Sequence, residues 1–272
     1  MPSLDPDVRE YYERGKEQDR LTGEHFASGR LEFARTQELI GRVLDAPPLD
    51  IVDVGGGPGL YAAWLAELGH RVQLVDPVAL HVEQARALDA RIDARVGDAR
   101  DLPQSDASAD VVLLMGPLYH LVERADRLRA LGEARRVLRP GGVVVVAAIS
   151  RYAALHDLLL RTDRLFESEV RDAVERVVRT GVFRVVTESP FTTAYFHTAD
   201  ELRRELVDAG IPVDGLFNIE GPAAFLSDLA AGWADGGRRE IMLWAARLVE
   251  SDPSLFGATA HLLAVGRRPR DY

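Results

Sequence analysis

The chain of 272 residues is 47% hydrophobic, enough to bury a sizeable core and too apolar for extensive disorder. Its net charge of −10 argues against a nucleic-acid substrate, because neutralising phosphates needs a basic stripe. The absence of cysteine excludes disulfides, thiolate zinc sites and a cysteine nucleophile.

In chain order, Val8 to Gly15 and Leu31 to Leu44 carry apolar residues at helical spacing, with Gly23 and Gly29 marking a break and Pro47-Pro48 closing the region. From Leu49 the texture changes to short β-rich runs alternating with helical stretches. Strands are expected at Ile51 to Val54, Val72 to Val75, Ala94 to Val96, Asp110 to Met115 and Val143 to Ile149. Helices are expected at Leu60 to Leu68, Pro77 to Leu88 and Arg124 to Leu138, the last stopped by Arg139-Pro140-Gly141-Gly142. Such alternation implies a mostly parallel sheet covered on both faces.

After Ile149 the alternation lapses. Arg151 to Thr180 reads as helical, with Glu167-Ser168-Glu169 and Arg171 to Arg179 as a charged face, and Gly181 to His197 as irregular with an aromatic cluster. A helix from Ala199 to Ala209, a strand from Val213 to Ile219, helices to Glu250 and a last strand from Ala258 to Val265 complete the chain. Trp233 and Trp244 on the late helices read as core. The expected division is 1–47, a helical cap; 48–150, a binding core; 151–198, a helical and aromatic insert suited to a substrate lid; and 199–272, the rest of the core.

The chemistry begins where Asp53-Val54 runs into Gly55-Gly56-Gly57-Pro58-Gly59 ahead of a helix. Glycines let the backbone turn sharply and let a ligand approach without a Cβ in the way, and the helix points free N–H groups at it. The dinucleotide fingerprint G-x-G-x-x-G would need glycine where Leu60 stands, so the pattern is G-x-G-x-G. A nicotinamide-dependent oxidoreductase is therefore the second enzymatic reading. Asp76, ending the second strand, is placed either to accept ribose hydroxyls or to cap a helix whose first residue is Pro77. Gly97-Asp98-Ala99 follows the third strand, and Met115-Gly116-Pro117-Leu118-Tyr119-His120 follows the fourth.

With these motifs in this order, Leu49 to Ile149 resembles the class I S-adenosylmethionine-dependent methyltransferases, in particular the ubiquinone/menaquinone-biosynthesis-like branch that methylates small molecules. The resemblance implies a Rossmann-like, doubly wound, mostly parallel seven-stranded sheet with N-terminal helices and a helical lid insert after strand 5. It implies S-adenosyl-L-methionine as cofactor and S-adenosyl-L-homocysteine as product. Gly55, Gly57 and Gly59 would lie under the methionine and ribose portion, and Asp76 would hold the ribose. Asp98 and the Ala99 N–H would meet the adenine, with Met115 facing the same site. Arg35 would pair with the cofactor carboxylate, a geometry suited to guanidinium, or else be a solvated helix charge. Tyr11, Tyr12 and Arg20 could close over the methionine end.

A sulfonium methyl is already activated, so the enzyme need mainly align a nucleophile and exclude water. No metal is demanded, and no HExxH-like cluster is present. His120 is the expected base, since an ordinary imidazole titrates near neutrality, and Tyr119 an orienting wall. Tyr12, Arg151, Tyr195 and His197 are the substrate-side candidates, with Phe191 beside them. Tyr195-Phe196-His197 can equally be a core cluster, and His25, His81 and His156 carry no assignment. The expected partner is a small molecule, for instance an aromatic or indole-like natural product. Nucleic acid and membrane are not expected, and the chain would be a cytoplasmic monomer or homodimer. A non-catalytic, cofactor-binding sensor is the third reading.

Overall fold

Side chains on the central strands alternate between two buried faces, and that alternation builds the molecule. In the computed structural model, residues 6–13, 15, 17, 20–21, 27–184 and 192–270 are described. β1 (Asp50–Val54), β2 (Arg71–Asp76), β3 (Asp93–Val96), β4 (Ala109–Leu114) and β5 (Leu138–Ile149) are mutually parallel. β6 (Val182–Phe183) and β7 (Ala194–Tyr195) form a separate two-residue ladder. β8 (Val213–Asn218) and β9 (His261–Arg267) complete a seven-stranded sheet of order β3-β2-β1-β4-β5-β9-β8, in which β9 alone runs antiparallel to its neighbours.

Before the sheet come α1 (Pro6–Glu13) and α2 (Ala27–Gly41). α3 (Leu60–Glu67), α4 (Ala79–Leu88), α5 (Pro117–His120) and α6 (Arg124–Val137) connect its parallel strands. α7 (Ala153–Arg161) and α8 (Ser168–Thr180) follow β5; α9 (Ala199–Asp208), α10 (Leu229–Ala234) and α11 (Gly236–Val249) flank β8. Val52, Val112, Leu114, Val144 and Val146 pack under α6 and α9, whereas Ile51, Val111, Leu113, Val143 and Val145 pack under α2, α3 and α4. Burial on both faces is what a parallel sheet requires. Among the described residues no helix is long and apolar enough to cross a membrane.

Local chemistry sets several ends. α8 stops at Gly181, whose φ of 79° is left-handed and whose N–H reaches the Val177 carbonyl. α9 opens with a capping box between Thr198 and Glu201. α4 begins later than expected: Val78 is its N-cap, and Pro77 lies outside it.

Three further expectations change. The Arg139-Pro140-Gly141-Gly142 stretch does not precede β5 but forms its irregular beginning, where the register with β4 shifts between Ala109 and Val111. Trp244 is 56% exposed. α11 buries Met242 and Ala246, two residues to either side, so Trp244 points the other way and shares an exposed stripe with Ile241 and Leu248. Gly29 is no break: it lies inside α2, and a Cβ there would stand 1.9 Å from the Arg20 carbonyl oxygen. Gly23 lies outside the described residues.

That contact reverses the usual effect of helical glycine. Gly29→Ala is expected to destabilise by about 1–3 kcal/mol through overpacking. Gly132→Ala in α6, where a Cβ meets nothing within 4 Å, should stabilise by about 0.5–1 kcal/mol. Urea unfolding of both variants checks the pair, and stabilisation by Gly29→Ala would disprove the close approach.

Candidate functional site

The sheet order turns around between β1 and β4, and a cavity opens there at the carboxyl ends of the strands, as open α/β sheets favour. Gly55, Gly57, Asp76, Asp98 and Ala99 line it. Gly55 (φ 66°) leaves no room for a side chain, because a Cβ would meet Pro117 at 2.7 Å. Gly57 (φ 56°) differs: a Cβ there would meet nothing within 4 Å. Its bare backbone therefore faces open space, which suits a ligand that comes close to the main chain.

Asp76, 4% exposed, holds this turn in place. Its Oδ2 accepts from the Gly57 N–H at 2.9 Å, its Oδ1 from the Val78 N–H at 2.9 Å, and His81 Nδ1 stands 3.1 Å from Oδ1. The capping use of Asp76 is thus present, although a carboxylate keeps further lone pairs for a ligand hydroxyl. Asp98 is gripped by Arg100, whose N–H, Nε and Nη2 lie 2.6–2.9 Å from its oxygens. Burial would raise the Asp98 pKa, but the Arg100 hydrogen bonds hold it below its ordinary value. Beneath the turn, Asp53 is fully buried, with neither oxygen hydrogen-bonded among the described residues. Burial, followed by the charge of Asp76, raises its pKa to about 7.

The outer wall comes from α1 and α5. Tyr12 Oη and His120 Nε2 are 2.7 Å apart, and the Tyr12 ring meets His81 and His120 edge-on with centroids 5.1 and 5.3 Å away. Tyr119 donates its hydroxyl to the Met115 carbonyl at 3.1 Å. Burial pushes the His120 pKa down to about 4, against weaker upward pulls from the Thr193 backbone and Asp76. The ring is therefore neutral at pH 7 and a weaker base than an ordinary histidine, which corrects the reason for expecting it as base.

Tyr12, Glu17, Tyr119 and His120 also border a second cavity, which runs to Phe225 and His261. Its far end carries a buried ionic network. Glu220, 2% exposed, accepts from Thr259 Oγ1 at 2.7 Å, His261 N at 3.1 Å and His261 Nδ1 at 2.5 Å. Glu32 accepts from Arg20 Nη1 at 2.7 Å and Nη2 at 3.3 Å, and its Oε2 lies 3.8 Å from His261 Nδ1. Burial works against a charged His261, but Glu32 and Glu220 outweigh it and raise its pKa to about 9. Ligand-type atoms of Glu32, Glu220 and His261 all lie within 4.8 Å, yet Arg20 and the imidazolium already balance the two carboxylates.

Several expected site residues stand elsewhere. Arg35 is completely buried and lines neither cavity: it bonds Glu38 and Glu250 at 2.5 Å each, and the Ile219 carbonyl. Arg20 lines the second cavity. Gly59 (φ 90°) begins α3 and faces α4, where a Cβ would meet Ala85 at 2.8 Å, so it serves packing. Met115 packs on the Ile51 face of the core and offers its carbonyl to Tyr119. Arg151 is spent on the Phe196 carbonyl and Glu201. Tyr195 covers Arg127, 3.6 Å from its ring centroid, and His197 Nε2 bonds Glu205 at 3.2 Å, so both belong to the core around the buried Arg127–Glu205 pair. Phe191 and His25 lie outside the described residues.

The sequence reading missed His81, Glu220 and His261. For His81 a signal existed: it follows a strand-end acid by five positions, in the first turn of a helix. Glu220 and His261 are 41 positions apart, and no spacing rule joins them.

Residues 52–146 match the family model described as a methyltransferase domain. A relative from Mycolicibacterium smegmatis, named a probable S-adenosylmethionine-dependent methyltransferase, is 35% identical over 136 residues, covering 48% of this chain and 52% of the relative. A ubiquinone/menaquinone biosynthesis C-methyltransferase of Rubrivivax gelatinosus is 43% identical over 95 residues, 34% of this chain and 36% of that protein. The chain thus spans about half the length, or less, of these curated relatives. An S-adenosylmethionine-dependent methyltransferase structure from Thermotoga maritima, described as a possible histamine N-methyltransferase, superimposes with a TM-score of 0.60 at 20% identity. That likeness covers 96% of this chain and 99% of the other. The fold is therefore the Rossmann-like methyltransferase fold, residues 52–146 carry a methyltransferase domain, and S-adenosylmethionine is the cofactor of this class of domain.

Two measurements test the electrostatics. The folded chain binds the Asp53 proton more tightly than the unfolded chain, so this group costs stability increasingly as pH rises from about 4 to about 7. Asp53→Asn should remove that slope and gain stability at pH 8, on the order of a few kcal/mol. An unchanged difference between variant and parent from pH 5 to pH 8 would refute it. Glu205→Ala should cost about 3–5 kcal/mol in urea unfolding, because Arg127 would be left buried and unpaired.

Proposed function

We propose that the chain moves the methyl group of S-adenosylmethionine to a small molecule held in the second cavity, leaving S-adenosylhomocysteine. The observation that carries this reading is the shared wall: Tyr12, Glu17, Tyr119 and His120 border both cavities, so their contents meet there. The open backbone at Gly57 supports a cofactor lying against the turn. On this reading Gly55 and Gly57 admit its methionine and ribose portion, Asp76 takes the ribose hydroxyls, and Asp98 with the Ala99 N–H takes the adenine edge.

When bound, the cofactor supplies an electrophilic methyl on a sulfonium sulfur. What remains for the chain is alignment and exclusion of water. Tyr12 on α1 caps the boundary and is fixed by its hydrogen bond to His120. His120, neutral at pH 7, can receive a proton from the acceptor only weakly, so its main task is to hold Tyr12 and shape the wall. Residues 151–198 supply α7, whose Ala153, His156, Asp157 and Leu160 line the second cavity, as a lid segment would. The acceptor is read as an aromatic or indole-like metabolite, set between Tyr11 and Phe225.

S-adenosylhomocysteine should raise the melting temperature and NAD should not. Stabilisation by NAD alone would reverse the assignment in favour of an oxidoreductase. With a turned-over acceptor found by mass spectrometry as a gain of one methylene unit, His120→Ala should bind S-adenosylhomocysteine normally while kcat falls about 10–100-fold. Full turnover by that variant would remove His120 from the mechanism.

A further inference from the structure

The far end of the second cavity has donors to spare, whereas its carboxylates are saturated. Both Glu220 oxygens are occupied by Thr259 and His261, and both Glu32 oxygens by Arg20. Asp157, which also lines this cavity, pairs with Arg161 at 3.0 Å, and burial raises its pKa. Arg20 has five N–H groups. Its hydrogen bonds to Glu17 and Glu32 use three, and its side chain is 32% exposed. The His261 ring, 23% exposed, is bonded through Nδ1, and its Nε2 has no hydrogen-bond partner among the described residues. Glu17 keeps one oxygen without a hydrogen-bond partner among the described residues, but it lies at the boundary with the first cavity, which Arg20, Glu32, Glu220 and His261 do not line.

We infer that this end of the cavity binds an oxyanion, a carboxylate by preference, carried by the methyl acceptor, with His261 and Arg20 as donors. The inference rests on the reading that the second cavity holds the acceptor. Two preorganised donors, a guanidinium and an imidazolium partly open to the cavity, match a planar carboxylate, and fixing them through Glu220 and Glu32 spares the ligand the cost of ordering them. Ile149, Ala153, Leu160, Phe225 and Ala260 supply an apolar wall for the rest of the molecule. Anchored at His261, the acceptor would extend back towards Tyr12 and Tyr119. The acceptor class is accordingly an aromatic or aliphatic acid rather than an amine.

The same donors could serve the carboxylate of the cofactor's methionine end, so the test separates the two sources. Calorimetry on the full chain saturated with S-adenosylhomocysteine would compare benzoate, indole-3-acetate and octanoate with their neutral amides and corresponding amines. At least one carboxylate should bind about tenfold more tightly than its amide and amine. The double variant His261→Gln/Glu220→Gln removes the ion pair as a unit, avoiding a stranded charge. It should abolish that preference while S-adenosylhomocysteine affinity stays within about twofold.

Lack of any carboxylate preference in the parent, tighter binding of the amines, or a preference undiminished in the variant would each overturn the inference. A loss of affinity for S-adenosylhomocysteine but not for 5′-methylthioadenosine, which lacks the amino-acid end, would assign the oxyanion to the cofactor and overturn it too. The comparison of carboxylate, amide and amine in the parent decides the matter even if the variant does not fold. Failure of S-adenosylhomocysteine to bind the parent at all would count instead against the cofactor reading on which the inference rests.

Discussion

The Asp76 carboxylate joins three pieces of backbone that would otherwise be independent. It receives the Gly57 N–H from the turn after β1 and the Val78 N–H from the start of α4, while its own main chain ends β2. One buried acid thereby fixes the glycine turn against the neighbouring strand end, and the first cavity takes its shape from that geometry. The arrangement carries an electrostatic cost one layer down. Asp53, under the same turn, is buried and lies near Asp76, and burial followed by that neighbour raises its pKa to about 7. Gly56 is tied to the same spot, since a Cβ there would stand 2.6 Å from Asp53 Oδ2.

Away from the turn, arginines do the structural work. Arg127 is enclosed by Glu205, the Leu121 and Val122 carbonyls and the Tyr195 ring, and this joins α6, α9 and the ladder of β6 and β7. Arg151 ties the end of β5 to Phe196 and Glu201, and Arg35 ties α2 to Glu250 just past α11. A guanidinium can satisfy several carbonyls and carboxylates at once, so such sites favour arginine for its donor fork rather than for any ligand. This is why Arg35, Arg151, Tyr195 and His197, all plausible for a binding site by residue type, are instead consumed by the scaffold.

The two cavities differ in how they are assembled. The first is made of consecutive strand ends, each contributing a short motif that a parallel sheet delivers to the same edge. The second draws Arg20 and Glu32 from the N-terminal cap, α7 from the insert, Glu220 from the turn after β8 and His261 from the antiparallel β9. β9 lies between β5 and β8, so its first residue, His261, is brought beside the insert that follows β5. On the proposed reading, substrate recognition is accordingly written in long-range contacts.

Periodicity and turn chemistry were enough to place the five parallel strands, the glycine turn, and Asp76 and Asp98 at strand ends, because each is a local property of a few consecutive residues. Local signals misled where tertiary contacts decided: Gly29 sits inside α2, where the Arg20 carbonyl takes the space of a side chain, and Trp244 is exposed because Met242 and Ala246 define the buried face of α11. The protonation of His120 and His261 was likewise out of reach. Both are histidines of ordinary pKa as residues, yet burial above all lowers one and two nearby carboxylates raise the other. By itself the sequence determined a mostly parallel α/β sheet and the short motifs at the carboxyl ends of its strands. Only the tertiary structure decided which charged side chains are consumed by the scaffold and which line a cavity, since that depends on partners brought together from distant parts of the chain.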